Sequence, residues 1–244
     1  MAYVEGAGKR RVLVLHGWAL DSAVWSMTRS VTDLTDFTYA YVDFPGYGAN
    51  SAMPPAQSIN EMAQFGVAAA DELGWDVFCV LGHSMGGATA LRMGAMIPDR
   101  VESVVALTPV AAEGTPLPEK TYDAFDAGFA DPEPLLGPLA PNLSRRQLAN
   151  IVARCHQSAG QQTWSAYLRN WTAADVARGL EDYEGPTHLF IGEHDGLVTA
   201  EYLGVTDRHL VNSSIGVISG AGHYPMLEQP EQSVSAWEHA FNRS

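Results

Sequence analysis

Six short apolar segments alternate with helical stretches along the chain, and this alternation limits the possible folds more than any other feature. The predicted strands are rich in Val, Ile, Leu or aromatic residues and are bounded by Gly, Pro or Asp. They are 11–17, 37–44, 76–83, 101–108, 186–192 and 214–220. The predicted helices between them include 59–73, 84–97, 199–209 and 229–242. Strands with little polar alternation are buried on both faces, and helical crossovers connect parallel strands. The chain therefore predicts an α/β fold, a mostly parallel central sheet with helices on both faces.

A long excursion interrupts this alternation after the fourth strand. Residues 110–175 mix apolar and polar residues at helical spacing, as in RRQLANIVARCHQ and QQTWSAYLRNW. We interpret this segment as an inserted helical cap, and residues 1–109 and 176–244 as the core. A chain of 244 residues suits one large domain of this kind.

Composition and charge exclude several classes of protein. With 46% hydrophobic and 17% charged residues, the chain has the balance of a globular protein. A net charge of −14 argues against nucleic-acid binding. The N-terminus lacks an apolar signal core, and no apolar run approaches the roughly 18 residues that cross a bilayer. We therefore expect a cytoplasmic protein without membrane association. Cys79 and Cys155 make no disulfide framework, and no residues have metal-ligand spacing, so we expect no metal.

The segment GHSMGG, residues 82–87, places one serine among three glycines directly after the third strand. It matches G-x-S-x-G, a sharp strand-to-helix turn in which the serine takes a strained conformation and exposes its hydroxyl. The helix that follows offers free N–H groups and the positive end of its dipole. Taken alone, the pattern also fits an ordinary turn with a capping serine.

Two further loops supply what a serine nucleophile needs, a base and a carboxylate that orients the base. Asp195, in GEHDG, follows the fifth predicted strand, and His223, in GAGHYP, follows the last. The order Ser…Asp…His along the chain is the one expected for this turn. Because all three residues follow strands of one sheet, we predict that Ser84, His223 and Asp195 form a catalytic triad.

Stabilising a tetrahedral oxyanion requires two backbone N–H donors. One belongs to the residue after the nucleophile, Met85, and the other to the loop after an earlier strand, where HGW places Trp18. The Trp18 indole is then free to form a wall of the acyl pocket. We interpret His16 as bracing its loop, His83 as packing or hydrogen-bonding beneath the turn, and Glu193 as structural.

These motifs resemble those of the α/β-hydrolase family, in its serine esterase branch, over nearly the whole chain. The matching pieces are LHGWALDSAVW, DFPGYG, GHSMGGATAL, PDRVESVVAL, IGEHDGLV and GAGHYPMLEQPE. HGWALDSAVW and the short N-terminus are similar in particular to the pimeloyl-carrier-protein methyl esterase group. The resemblance implies hydrolysis of an ester, thioester or lactone without a cofactor. The chain departs from the wider family in its first hairpin, where only AYVEG precedes KRRVLVLHG.

The predicted cap has an uneven charge and a regular aromatic spacing. Between residues 134 and 174 there is no Asp or Glu, whereas four arginines are present. They are Arg145, Arg146, Arg154 and Arg169. Either their stems lie on a solvated helix, or they receive an anionic substrate or an acidic carrier protein, with Arg145 and Arg146 as contacts. Aromatic residues three and four apart indicate cap packing or an apolar pocket wall. On the second reading, Tyr122, Phe125 and Trp164 contact the substrate.

The leading prediction is a serine hydrolase that cleaves a carboxylic ester of a small, partly apolar substrate through an acyl-enzyme at Ser84. A lactonase, or a hydrolase of the carbon–carbon bond of a diketone, would use the same triad. An acyltransferase and a non-catalytic ligand receptor on the same scaffold also stay open, since a fold does not determine a function. Both a monomer and a homodimer are compatible with the sequence.

Overall fold

A single seven-stranded sheet forms the centre of the molecule. The computed structural model describes residues 2–243. The strands are β1 (Tyr3–Gly6), β2 (Arg10–Leu15), β3 (Phe37–Val42), β4 (Phe78–His83), β5 (Val101–Leu107), β6 (Thr187–Gly192) and β7 (Ser213–Ile218). Their order across the sheet is β1-β3-β2-β4-β5-β6-β7, with β1 antiparallel to β3 and every other pair parallel. The predicted mostly parallel α/β fold is confirmed.

The sequence predicts six of these strands and misses β1. This strand has four residues, is largely exposed and lies at the sheet edge, where it pairs with β3 from Tyr3 opposite Tyr41 to Gly6 opposite Thr38. An exposed edge strand needs no apolar run, so nothing in its composition distinguishes it from a loop.

Helices cover both faces of the sheet. They are α1 (Ser26–Arg29), α2 (Ile59–Glu72), α3 (Met85–Met96), α4 (Glu119–Ala127), α5 (Glu133–Leu136), α6 (Arg145–Ser158), α7 (Gln161–Thr172), α8 (Ala200–Asp207), α9 (Pro225–Glu228) and α10 (Pro230–Asn242). Ser58 caps α2 by accepting from the Glu61 N–H at 3.1 Å, and Ser144 forms a capping box with Gln147 at the start of α6. None of the helices within residues 2–243 is long and apolar enough to span a membrane.

The alternation of side chains along β2 explains why this strand is apolar throughout. Leu13 and Leu15 belong to the core cluster that α2 and α3 cover, whereas Val12 and Val14 belong to the cluster on the opposite face, which α10 covers. All four side chains are fully buried. Because successive strand residues point to opposite faces, a strand covered on both sides has no polar position.

Four helices, α4 to α7, lie between β5 and β6 in the segment predicted to be a helical insertion, and we call them the cap helices. Two contacts fix them on the sheet domain. Tyr167 of α7 donates to the Pro45 carbonyl at 2.8 Å. Arg154 of α6 forms an ion pair with Asp21, whose side chain is 1% exposed. The cap helices therefore lie above the carboxyl ends of the strands, where ligands bind in parallel α/β sheets.

Candidate active site

Ser84 occupies the sharp turn between β4 and α3. Its backbone has φ 54° and ψ −116°, a conformation that costs a non-glycine residue about 1–3 kcal/mol. The turn is possible because its glycines leave no space for a side chain. A Cβ at Gly82 would lie 2.1 Å from the Gly86 carbonyl oxygen, and a Cβ at Gly86 would lie 2.5 Å from that of His16.

The structure brings Ser84, His223 and Asp195 together, although 139 residues separate the first two along the chain. His223 Nε2 lies 3.1 Å from Ser84 Oγ, and His223 Nδ1 lies 2.8 Å from Asp195 Oδ2. All three side chains are buried. Since an ionised carboxylate only accepts hydrogen bonds, the contact with Asp195 assigns the proton to Nδ1. Nε2 is then the acceptor that faces the serine hydroxyl.

Asp195 is held as a carboxylate. Burial alone would raise its pKa, but hydrogen bonds outweigh this effect and lower the pKa below its usual value. Asp195 Oδ2 accepts from His223, and Oδ1 accepts from the backbone N–H groups of Leu197 and Val198 at 2.8 and 3.1 Å. The negative charge that orients His223 is therefore stabilised within a buried site.

The backbone of His223 is fixed from three sides. Its carbonyl accepts from His83 Nε2 at 2.8 Å and from Thr108 Oγ1 at 2.9 Å. Its N–H donates to the Leu139 carbonyl, in the segment between α5 and α6, at 2.7 Å. Burial and the nearby His223 lower the pKa of His83 to about 3, so the His83 ring is neutral. Thr108 and Leu139 have no motif signal, and sequence analysis did not identify them.

Two backbone donors lie free beside the serine. Within residues 2–243, neither the Trp18 nor the Met85 N–H has a hydrogen-bond partner. The loop that carries Trp18 passes directly against Ser84, because a Cβ at Gly17 would lie 3.2 Å from the Ser84 Cβ. His16 holds this loop through contacts with the Gly17 carbonyl at 2.8 Å and the Phe44 N–H at 3.0 Å.

A sequence profile of the alpha/beta hydrolase family matches residues 12–236. The chain belongs to the alpha/beta hydrolase family. A protein from Serratia marcescens named pimeloyl-[acyl-carrier protein] methyl ester esterase is 28% identical over 96% of this chain and 94% of its own. Among solved structures, an esterase from Thermogutta terrifontis is 21% identical, with a TM-score of 0.84 over 100% of this chain and 93% of its own. A bromoperoxidase from Bacillus anthracis is 18% identical, with a TM-score of 0.88 over 99% of this chain and 94% of its own.

A cavity of about 130 Å³ lies above Ser84, between the sheet and the cap helices. Apart from Ser84 and the two histidines His83 and His223, its lining is apolar or aromatic with one threonine. These residues are Trp18, Val110, Thr115, Leu117, Phe125, Leu136, Leu139, Trp171, Leu197, Val198, Tyr202 and Tyr224. Among residues 2–243, no Asp, Glu, Lys or Arg lines it. The Tyr202 hydroxyl bonds to Thr115 Oγ1 and accepts from the Ala111 N–H at 2.9 Å, so the hydroxyl groups of Tyr202 and Thr115 already have partners.

Of the residues expected to contact a substrate, Trp18 and Phe125 line this cavity, and four others do not. Trp164 lies behind Trp18, with ring centroids 4.2 Å apart, and donates from Nε1 to the Phe125 carbonyl at 2.9 Å. Tyr122 is buried, with its hydroxyl on Thr172 at 2.7 Å. These two residues do not line the cavity, because α4 and α7 turn them into the packing between helices.

Arg145 and Arg146 are exposed at the start of α6 and do not line this cavity. The same helix buries Ile151 and Cys155, so its opposite face carries the charged residues to the surface. Within residues 2–243 no group of three or more His, Cys, Asp or Glu side chains could hold a metal ion.

Proposed function

We propose that the protein is a serine hydrolase that cleaves a carboxylic ester through an acyl-enzyme at Ser84. The observation that carries the proposal is the hydrogen-bonded series Asp195–His223–Ser84, which ends at an apolar cavity beside two free backbone N–H groups. An ordinary serine cap would need neither a histidine at 3.1 Å nor a cavity above its hydroxyl.

In acylation, Ser84 Oγ attacks the ester carbonyl carbon while His223 Nε2 accepts the hydroxyl proton. The resulting imidazolium donates from Nδ1 to Asp195, whose charge stabilises it. The carbonyl oxygen becomes an oxyanion and accepts from the Trp18 and Met85 N–H groups. Collapse of this intermediate breaks the bond to the alcohol oxygen, and His223 returns its proton to that oxygen. The alcohol leaves, and the acyl group remains on Ser84.

Deacylation repeats these steps with water as the nucleophile. His223 Nε2 accepts a proton from water as its oxygen attacks the acyl carbon, and the same two N–H groups receive the second oxyanion. Cleavage of the bond to Ser84 Oγ releases a carboxylic acid, and His223 reprotonates the serine. No cofactor enters either half of the reaction.

The cavity supports a short, uncharged and apolar acyl group. An apolar cavity of 150 Å³ is large enough for benzene, so about 130 Å³ corresponds to an acyl chain of roughly four to six carbons. A charge buried against this lining would have no partner, which is costly. The lining therefore favours a neutral acyl group over one that ends in a free carboxylate.

A second candidate substrate is a methyl ester on a carrier-bound acyl chain. It is favoured by the 28% identity to the Serratia marcescens protein and by the exposed Arg145 and Arg146 on the cap. Arginine binds anionic groups through its planar fork, so an acidic carrier could rest on this surface while the ester enters the cavity. Replacing both arginines with glutamine should raise the KM for the carrier-bound ester and leave that for a small neutral ester unchanged.

The test is the hydrolysis of p-nitrophenyl esters from acetate to decanoate by the wild type and by Ser84→Ala. We expect turnover that peaks between butanoate and hexanoate and falls at least a thousandfold in Ser84→Ala. Labelling of Ser84 by a fluorophosphonate without ester turnover would favour a lactone, a diketone or an acyl acceptor other than water. No labelling and no turnover would contradict the proposal and favour a ligand receptor.

A further inference from the structure

A short segment between two cap helices packs against the loop that carries His223. Residues 139–142, which we call the latch segment, lie between α5 and α6. The Leu139 carbonyl accepts from the His223 N–H at 2.7 Å. A Cβ at Gly222 would lie 2.5 Å from Pro141 Cδ and 2.6 Å from the Leu139 oxygen, so the two segments are in direct contact. The latch segment thus supplies one of the three hydrogen bonds that fix the His223 backbone.

The Glu228 carboxylate forms a second link between the latch segment and the loop that carries His223. Glu228, the last residue of α9, accepts from the Tyr224 N–H through Oε1 at 3.1 Å. Its Oε2 accepts from the backbone N–H and the side-chain amide of Asn142 at 3.2 and 3.3 Å. Hydrogen bonds to a charged acceptor are stronger than those between neutral groups. Tyr224, which follows His223, and Asn142, which ends the latch segment, therefore donate hydrogen bonds to the same side chain.

We propose that Glu228 is a positioning residue, which holds the latch segment against the His223 loop and so keeps His223 within reach of Ser84. The inference rests on the proposed function, in which His223 is the general base. The distance of 3.1 Å from Nε2 to Oγ lies near the long end of the range for proton transfer, about 2.6–3.2 Å. A small retreat of the His223 loop would therefore break this contact. Glu228 does not line the cavity, so it acts only through its neighbours.

The chain contains a matched control for this role. Glu193 also accepts hydrogen bonds from the loop after β7, through Oε2, from Ser219 Oγ at 2.6 Å and the Gly220 N–H at 2.8 Å. These bonds tie down the start of the loop and do not involve the latch segment. Glu193→Ala and Glu228→Ala each remove a carboxylate that holds the same loop, but only the second one releases Asn142.

The experiment measures kcat and KM for p-nitrophenyl butanoate, normalised to the number of sites that a fluorophosphonate labels. For Glu228→Ala we expect kcat and the rate of labelling to fall about tenfold, with KM within twofold, because a displaced general base slows only the chemical step. Glu228→Gln keeps one carbonyl acceptor and should be intermediate. Glu193→Ala should leave kcat per labelled site within twofold, whatever its effect on the melting temperature.

Hydrogen exchange adds a readout that does not depend on turnover. The amide of His223 should exchange faster in Glu228→Ala than in the wild type and in Glu193→Ala, because its acceptor belongs to the latch segment. Equal kcat per labelled site and equal exchange in Glu228→Ala and Glu193→Ala would overturn the inference. If Glu228→Ala does not fold, Glu228→Gln and Glu193→Gln provide the same comparison. If the wild type shows neither turnover nor labelling, the proposed function fails, and the exchange comparison still decides whether Glu228 holds the loop.

Discussion

The buried neutral ring of His83 should make stability fall on mild acidification, and His83→Gln should remove much of this effect. His83 is 1% exposed, and burial together with the nearby His223 lowers its pKa to about 3. In the unfolded chain its pKa is near 6.5. Below pH 6.5 the unfolded state therefore binds a proton that the folded state does not, and the free energy of unfolding decreases as the pH falls.

The size of the effect follows from the two pKa values. Between pH 7 and pH 5, a shift from 6.5 to about 3 removes about 2 kcal/mol of stability, and the loss continues to about pH 3. Glutamine has no proton to gain in this range, and its amide N–H can replace the donor to the His223 carbonyl. His83→Gln is expected to be less stable than the wild type at pH 7, because the smaller side chain packs less well. The difference in the free energy of unfolding between the wild type and His83→Gln should shrink, or change sign, at pH 5.

The assay is urea unfolding of both proteins at pH 7, 6 and 5. Taking the difference between wild type and variant at each pH cancels the contributions of the other titrating groups, such as His16, whose pKa burial also lowers. We expect the difference in the free energy of unfolding to change by about 2 kcal/mol across this range. A difference that stays constant within about 0.5 kcal/mol would refute the assignment of His83 as a buried neutral base.

Three further predictions concern the site itself. Asp195→Asn should lower kcat for p-nitrophenyl butanoate about 10⁴-fold, since an amide cannot favour the Nδ1-protonated form of His223; a loss below tenfold would exclude Asp195 from the triad. Gly17→Ala should lower kcat about a hundredfold, because the added Cβ would lie 2.5 Å from His83 Nδ1 and 3.2 Å from the Ser84 Cβ. Wild-type kinetics in this variant would show that the Trp18 loop can move aside. Trp18→Ala keeps the backbone N–H but removes a cavity wall. The preferred acyl chain should therefore lengthen by several carbons in the ester series. An unchanged preferred chain length would show that the acyl group does not bind against Trp18.

The fold and the proximity of Ser84, Asp195 and His223 could be predicted because their signals are local. A strand buried on both faces must be apolar at every position, as β2 is, and a loop that follows such a strand lies at the same edge of the sheet as its neighbours. Ser84, Asp195 and His223 each lie in the segment that follows a strand of this sheet, so their proximity required no knowledge of side-chain packing. The edge strand β1 lacked such a signal because it is exposed.

The cavity lining could not be predicted, because it depends on how the cap helices pack. Trp164 and Trp171 lie two turns apart on α7, and the helical period assigns them to the same face. Only Trp171 lines the cavity, whereas Trp164 packs behind Trp18, whose indole donates to the Trp164 carbonyl at 2.9 Å. Which of the two tryptophans reaches the cavity depends on where α7 crosses the Trp18 loop. The spacing of residues along α7 does not predict that crossing point.

The partners of the charged side chains on the cap also could not be predicted from the sequence. The sequence shows four arginines without a nearby carboxylate, but the fold brings Asp21 to Arg154, and Glu119 to Arg169. Arg169 also lies over the Tyr122 ring, at 3.8 Å from its centroid. Two of the four charges are therefore satisfied within the chain, and the pattern overstates the basic surface by a factor of two. An anionic group that approaches the start of α6 would meet Arg145 and Arg146, and the helix dipole adds to their attraction there.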